Sequence, residues 1–178
     1  MSIEDRSFDA LREGTATVID GSDYDWIKVS YKLYSMNETE SGDIDGHYWH
    51  VDSNDSLKAN GGKDSANIFN VYTRRVGSKA VVMLQHDKTE KFVAFRKNSD
   101  EVYVKHLPKE IDLNNLETAA QEQILFYKIP RTAGGEIFHL QSYPNKEQTV
   151  GFDTAGNLML PSAVQLDNVA SFFKIFPS

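Results

Sequence analysis

The sequence predicts an all-β fold, and three observations carry that reading. Apolar residues come in short runs rich in Val, Ile, Phe and Tyr, each closed by a polar turn. Helical spacing is scarce. Part of the chain also repeats itself: Val82-Met83-Leu84-Gln85 aligns with Phe138-His139-Leu140-Gln141 at an offset of 56. The 178 residues, 40% hydrophobic and 25% charged, suffice for one domain with a sizeable core.

In chain order, residues 1–14 read as an N-terminal tail in which Ser2 to Glu13 could form a short amphipathic turn with Phe8 and Leu11 inward. The domain then spans 15–178, with strands expected near 15–19, 26–34, 47–51, 67–73, 80–85, 91–95, 101–106, 123–129, 136–142, 148–152, 157–160 and 170–176. In the second of these, Trp26, Lys28, Ser30, Lys32 and Tyr34 alternate with Ile27, Val29, Tyr31 and Leu33, so both faces are partly apolar. Leu113 to Gln123 is the best helical candidate, a turn or two with Leu113, Leu116 and Ala120 on one face. Asn98-Ser99-Asp100, Ala133-Gly134-Gly135 and Thr154-Ala155-Gly156-Asn157 mark reversals, because these residues accept positive φ or bond their own backbone.

The repeat extends further. Glu90, Val93, Ala94 and Phe95 align with Glu147, Val150, Gly151 and Phe152 at an offset of 57. Val102-Tyr103-Val104 and Leu158-Met159-Leu160 follow, and each unit closes on an aromatic-aliphatic strand, Leu125 to Ile129 or Phe172 to Phe176. Ile68 to Val71 closes the first third in the same way. Twelve strands in three four-strand units fit a β-trefoil, since one unit cannot bury its apolar face and three closing on a common core can. An eight-stranded ligand-binding barrel is the structural rival. The expected core comprises Val82, Leu84, Val93, Phe95, Val102, Val104, Leu125, Phe138, Leu140, Val150, Phe152, Leu158, Leu160, Phe173 and Ile175.

Residues 35–63 read as a long polar insertion with an aromatic cluster, His47 to His50, at its middle. Loops on a rigid scaffold are where binding residues accumulate, and Tyr and Trp are the commonest anchors. Asp43, Asp45, Tyr48 and Trp49 are therefore the candidate partner-binding residues. The competing reading is that Tyr48 and Trp49 alternate in a strand and one of them fills core.

Several chemistries are excluded or unsupported. With no Cys, there is no disulfide scaffold, thiolate zinc site or cysteine nucleophile. No phosphate-binding glycine motif and no Gly-x-Ser-x-Gly elbow occurs. His47 and His50 lie three apart in an expected strand, on opposite faces, which disfavours a shared metal. Asp43, Asp45 and Gly46 lack the spacing of a calcium loop. Two glycosylation sequons, Asn37-Glu38-Thr39 and Asn54-Asp55-Ser56, are a weak signal, since chance gives about one among 11 asparagines. No nucleophile, base and orienter assemble, so the reading is non-enzymatic, with no cofactor and no metal.

The net charge of −7 argues against nucleic acid as partner, and it is uneven: residues 1–70 carry 14 acidic and 6 basic residues, residues 71–178 carry 12 and 13. No apolar run nears the ~20 residues of a membrane helix, so no membrane insertion is expected. Met1-Ser2-Ile3-Glu4-Asp5-Arg6 has neither the basic nor the apolar region of a secretory signal. A monomer is expected.

Three segments then resemble the interleukin-1 cytokine family: Ile124 to Ile129, Phe138 with Tyr143-Pro144-Asn145, and the terminal Ala170 to Phe176. In that family a Phe-Tyr-Lys-like strand precedes a phenylalanine-led segment with a Pro-Asn-like turn, and the chain ends on a Phe-x-Phe-like strand. The resemblance covers about 100 of the 178 residues, mainly 80–178. The chain departs from the family's short signature at Leu140, where a serine is usual, at Lys146, where an aromatic is usual, and at Val150-Gly151, which replaces a Ser-Thr-like pair. The resemblance implies a β-trefoil and a cytokine-like protein that binds cell-surface immunoglobulin-type receptors through its loops. It also implies an extracellular location reached without a signal peptide, a cytoplasmic one being the alternative. Some members are matured by cleavage after an aspartate, which Asp20 before Gly21 could supply, although Asp20-Gly21-Ser22-Asp23 equally reads as a turn. Two other readings stay open: a trefoil module of another class, a carbohydrate-binding lectin or fascin-like actin binder, and a lipocalin-like carrier of a small apolar ligand.

Overall fold

The computed structural model describes residues 16–18 (backbone only), 26–36, 46–64, 67–132, 134 and 136–178. The fold is all-β. Among the described residues there are eleven strands: β1 Ala16–Val18, β2 Ile27–Ser35, β3 Tyr48–Val51, β4 Leu57–Gly61, β5 Phe69–Val76, β6 Lys79–His86, β7 Phe92–Phe95, β8 Val102–Lys105, β9 Phe126–Pro130, β10 Phe138–Ser142 and β11 Phe173–Pro177. One helix, α1 (Leu116–Gln121), starts at Asn115, whose side chain accepts from Thr118 N–H, and its Ala119 is fully buried. No described helix is long and apolar enough to cross a membrane.

Six strands close into a barrel. β2 pairs β5, β5 pairs β6, β6 pairs β9, β9 pairs β10, β10 pairs β11, and β11 returns to β2, all antiparallel. The ring therefore has six strands rather than the eight of the rival architecture. Period-two alternation sends Val29, Tyr31 and Leu33 of β2 inward together with Phe69, Val71, Val82, Leu84, Phe126, Phe138, Leu140 and Phe173.

One register recurs around the ring: Tyr31 opposes Phe69, Val82 opposes Phe126, and Phe138 opposes Phe173. The C-terminal ends of β2, β6 and β10 each lead into an antiparallel pair that returns to β5, β9 and β11. In these pairs Val51 opposes Leu57, Phe95 opposes Val102, and Phe152 opposes Leu158. Since β2, β6 and β10 run the same way, all three pairs sit at one end of the barrel.

Several expectations are corrected. Within the tract read as a polar insertion, β4 pairs with β3, so part of 35–63 is regular structure. Two expected strands, 148–152 and 157–160, are reduced to the isolated bridges Gln141–Thr149, Phe152–Leu158 and Lys58–Asn157. The last strand begins at Phe173, because Val169–Ser171 forms a 3-10 turn. β1 pairs only with β2 and lies outside the ring.

Twelve of the fifteen expected core residues are buried, and Leu158 and Ile175 pack against the core from half-buried positions. Leu125 is buried in a second cluster, with Trp26, Val81, Met83 and Ala119 beneath α1, while its neighbour Phe126 enters the barrel. Leu160 is the exception at 61% exposed. Ser2–Glu13, Asp20 and the first sequon lie outside the described residues.

Phe152 and Leu160 thus make a test pair. Phe152→Ala removes a ring packed edge-on against Trp49 and Phe173 and should cost about 3–5 kcal/mol in denaturant unfolding. Leu160→Ala should stay within about 0.5 kcal/mol. Comparable losses from both would overturn the assignment of faces.

Candidate functional site

Of the four residues expected to meet a partner, the structure describes two, Tyr48 and Trp49. Asp43 and Asp45 lie outside the described residues. Tyr48 and Trp49 are both buried, which corrects the expectation that they stand out from a loop. They alternate in β3, and β3 is covered on both sides. Tyr48 turns to an outer cluster, edge-to-face with Tyr34 at 5.0 Å between ring centroids. Trp49 turns into the barrel, edge-on to Phe152 and Phe173, each at 5.1 Å.

Among the described residues no group of three or more His, Asp or Glu side chains could hold a metal ion. His47 rests on the Tyr34 ring and His50 Nε2 bonds Asn60 Oδ1, so the two point to different partners.

What the structure does expose is an apolar segment after the third hairpin. Leu160, Leu166 and Val169 are 61%, 37% and 42% exposed and are the large exposed hydrophobics among the described residues. The bridges align Leu160 with Ala59 and Val104, which are only 1% and 7% exposed. The third unit therefore presents outward a position that the other two bury.

The segment is held at both ends. Asp100, in the turn of the second hairpin, accepts from Ser162 N–H at 3.0 Å and from the Ser162 hydroxyl, and Gln148 Nε2 reaches the same carboxylate at 3.5 Å. The Ser162 hydroxyl bond is the main cause holding the Asp100 carboxyl below its ordinary range. At the other end Asn168 Oδ1 accepts from Ala170 N–H at 2.9 Å, and the Ser171 hydroxyl donates to Asn168 O at 2.8 Å. Buried His139 lies 2.9 Å from that hydroxyl through Nδ1, which anchors the segment to β10.

A second polar junction ties the first hairpin to the second unit. Asn67 Oδ1 accepts from Val51 N–H at 2.7 Å and from His86 Nε2 at 2.9 Å. His86 Nδ1 lies 2.8 Å from the Thr89 hydroxyl, from which a neutral ring with its proton on Nε2 accepts. The Lys91–Asp55 ion pair, at 2.6 Å, crosses the same junction. These residues carried no sequence signal, because isolated polar residues at strand ends look like ordinary turns.

Compared with known proteins, the chain matches no family model and no curated sequence.

Burial lowers the pKa of both His86 and His139, in each case more than neighbouring charges and hydrogen bonds offset. The sign follows from linkage: below the ordinary value of 6.5 the unfolded chain takes up protons that the folded chain refuses. The contribution is complete above that value and is lost as pH falls toward the folded values. The urea midpoint should therefore drop between about pH 7.5 and 5.5, and the slope should flatten in the double variant His86→Gln, His139→Gln. An equal slope in the variant would remove both histidines as its cause.

Proposed function

We propose that this chain is a non-enzymatic β-trefoil recognition protein of interleukin-1 type, which binds an immunoglobulin-type receptor domain through loops on its barrel. The register repeated three times around the ring supports the trefoil reading. Of the residues that carry the family resemblance, Phe126 to Ile129 lie in β9, Phe138 begins β10 and Phe173 to Phe176 lie in β11, three consecutive strands of the barrel. A resemblance in fold alone does not bring a function with it.

The observation that carries the recognition reading is Leu160, exposed where its two counterparts are buried. Together with Leu166 and Val169 it gives a protein partner apolar area to bury, and the clasps at Asp100 and Asn168 fix the segment before contact. A receptor interface of ordinary size buries about 800 Å² on each side, so surface beyond this segment would share it. The carrier reading fares worse. The cavity within the barrel is about 50 Å³, far below the roughly 300–1,000 Å³ of drug-sized ligand sites.

The test is surface-plasmon binding of the full chain to a panel of immunoglobulin-domain receptor ectodomains. Binding to one of them, weakened at least tenfold by the double variant Leu160→Asp, Val169→Asp with the fold intact by circular dichroism, is the expected result. A panel without a binder, or a variant as tight as the parent, would overturn the reading. Replacing Asp43 and Asp45 by Asn should slow association and flatten its salt dependence, since rim charges mainly steer encounter. Deleting residues 37–45 should lower affinity while leaving the barrel folded.

A further inference from the structure

Among the described residues that line the barrel cavity, one carries an unmet polar demand. Trp49 is fully buried and, among the described residues, its indole Nε1–H has no hydrogen-bond partner. The other tryptophan, Trp26, donates to Leu113 O at 2.8 Å, as a buried indole ordinarily does. A buried donor left unsatisfied costs about 1–3 kcal/mol, so native proteins rarely keep one.

Trp49 also lines the barrel cavity. The lining is mostly aliphatic and aromatic, with Leu33, Leu84 and Leu140 among it, but it includes the Tyr31 and Thr73 side chains and the half-buried Lys128. Thr73 pairs with Ile27 at the start of β2, and Lys128 opposes Ala80 near the start of β6. Both therefore sit toward the barrel end opposite the three hairpins, whereas Trp49 comes from a hairpin. The polar groups are thus spread along the barrel axis.

We propose that this cavity is a water site: a short file of ordered water inside the barrel, whose innermost molecule accepts from Trp49 Nε1–H. A volume of about 50 Å³ admits about three to five waters, at ~10–15 Å³ of this measure for each. Purely apolar cavities stay dry, and a buried water needs two to four polar partners. Besides Trp49, the lining residues that carry polar groups are Tyr31, Thr73 and Lys128. An apolar ligand would meet the aliphatic lining but leave the indole donor unpaired. The inference concerns the barrel interior and does not depend on the proposed receptor surface.

Water–protein NOE spectroscopy on the ¹⁵N-labelled full chain, combined with xenon titration, tests it. The expected result is a cross peak of the sign given by long-lived bound water at the Trp49 indole proton, with the methyl signals of Val82, Leu84 and Leu140 unmoved under xenon. A Trp49 indole proton without a water cross peak, together with xenon-induced shifts at those methyls, would show a dry apolar cavity and overturn the proposal.

Discussion

Closure of the ring by β11 against β2 is the constraint on which the rest of the structure depends. Five consecutive residues, Phe173 to Pro177, pair with Ser35 to Tyr31. This joins the last strand to the first strand of the barrel and leaves the ring without an open edge. None of the three units has an apolar face that it can cover alone. The inward residues Phe69, Phe126 and Phe173 become mutually buried only when all three units are in place. A lesion in β11 should thus be felt across the molecule, because it reopens contacts made by residues more than a hundred positions away.

The hairpin end shows how near-equivalent units share one interior. At the position filled by Val93 and Val150 in the second and third hairpins, the first carries Trp49. Its indole reaches Phe69 of its own unit and Phe152 and Phe173 of the third, each edge-on. A side chain that large demands small neighbours, and the first hairpin has Ala59 where the others have Val104 and Leu160. Close packing then constrains the third hairpin from another side. An added Cβ at Gly156 would come within 2.8 Å of the Ala59 backbone, and one at Gly151 within 2.7 Å of Val164. The first and third hairpins thus approach closely where Gly156 meets Ala59.

The parts of this fold legible in the sequence were those where two units use the same residue types. β6 and β10 share apolar-x-Leu-Gln, and the glutamine has the same task in both: Gln85 Nε2 donates to Glu90 O and Gln141 Nε2 to Lys146 O. A further likeness joins the first hairpin to the third. Asp52-Ser53-Asn54-Asp55-Ser56-Leu57 and Asp153-Thr154-Ala155-Gly156-Asn157-Leu158 form the same turn 101 residues apart. In each, the aspartate Oδ1 accepts from the backbone N–H groups two and four residues on. That pair links the first unit to the third and marks β4, which composition hid because only Leu57 and Ala59 face the core. Tyr48 and Trp49 misled for a different reason. Alternation tells which residues share a face, but not that both faces of β3 are covered.

Leu160 shows where alternation stops carrying information. It continues the inward pattern of Leu158, yet the chain leaves the hairpin at once for the 3-10 turn Pro161–Ala163, and Ser162 is drawn to Asp100 of the neighbouring unit. That bond, between residues 62 positions apart, holds the turn that follows Leu160, and nothing local announces it. The candidate surface is therefore a product of inter-unit contact. The second unit supplies the carboxylate, the third supplies the apolar side chains, and β10 supplies the His139 anchor. A segment so held gives up little conformational freedom on meeting a partner, whereas a mobile loop would lose roughly 1–2 kcal/mol of backbone entropy for each residue fixed. Rigidity contributed by one unit and apolar area contributed by another is what distinguishes this segment from an ordinary exposed loop.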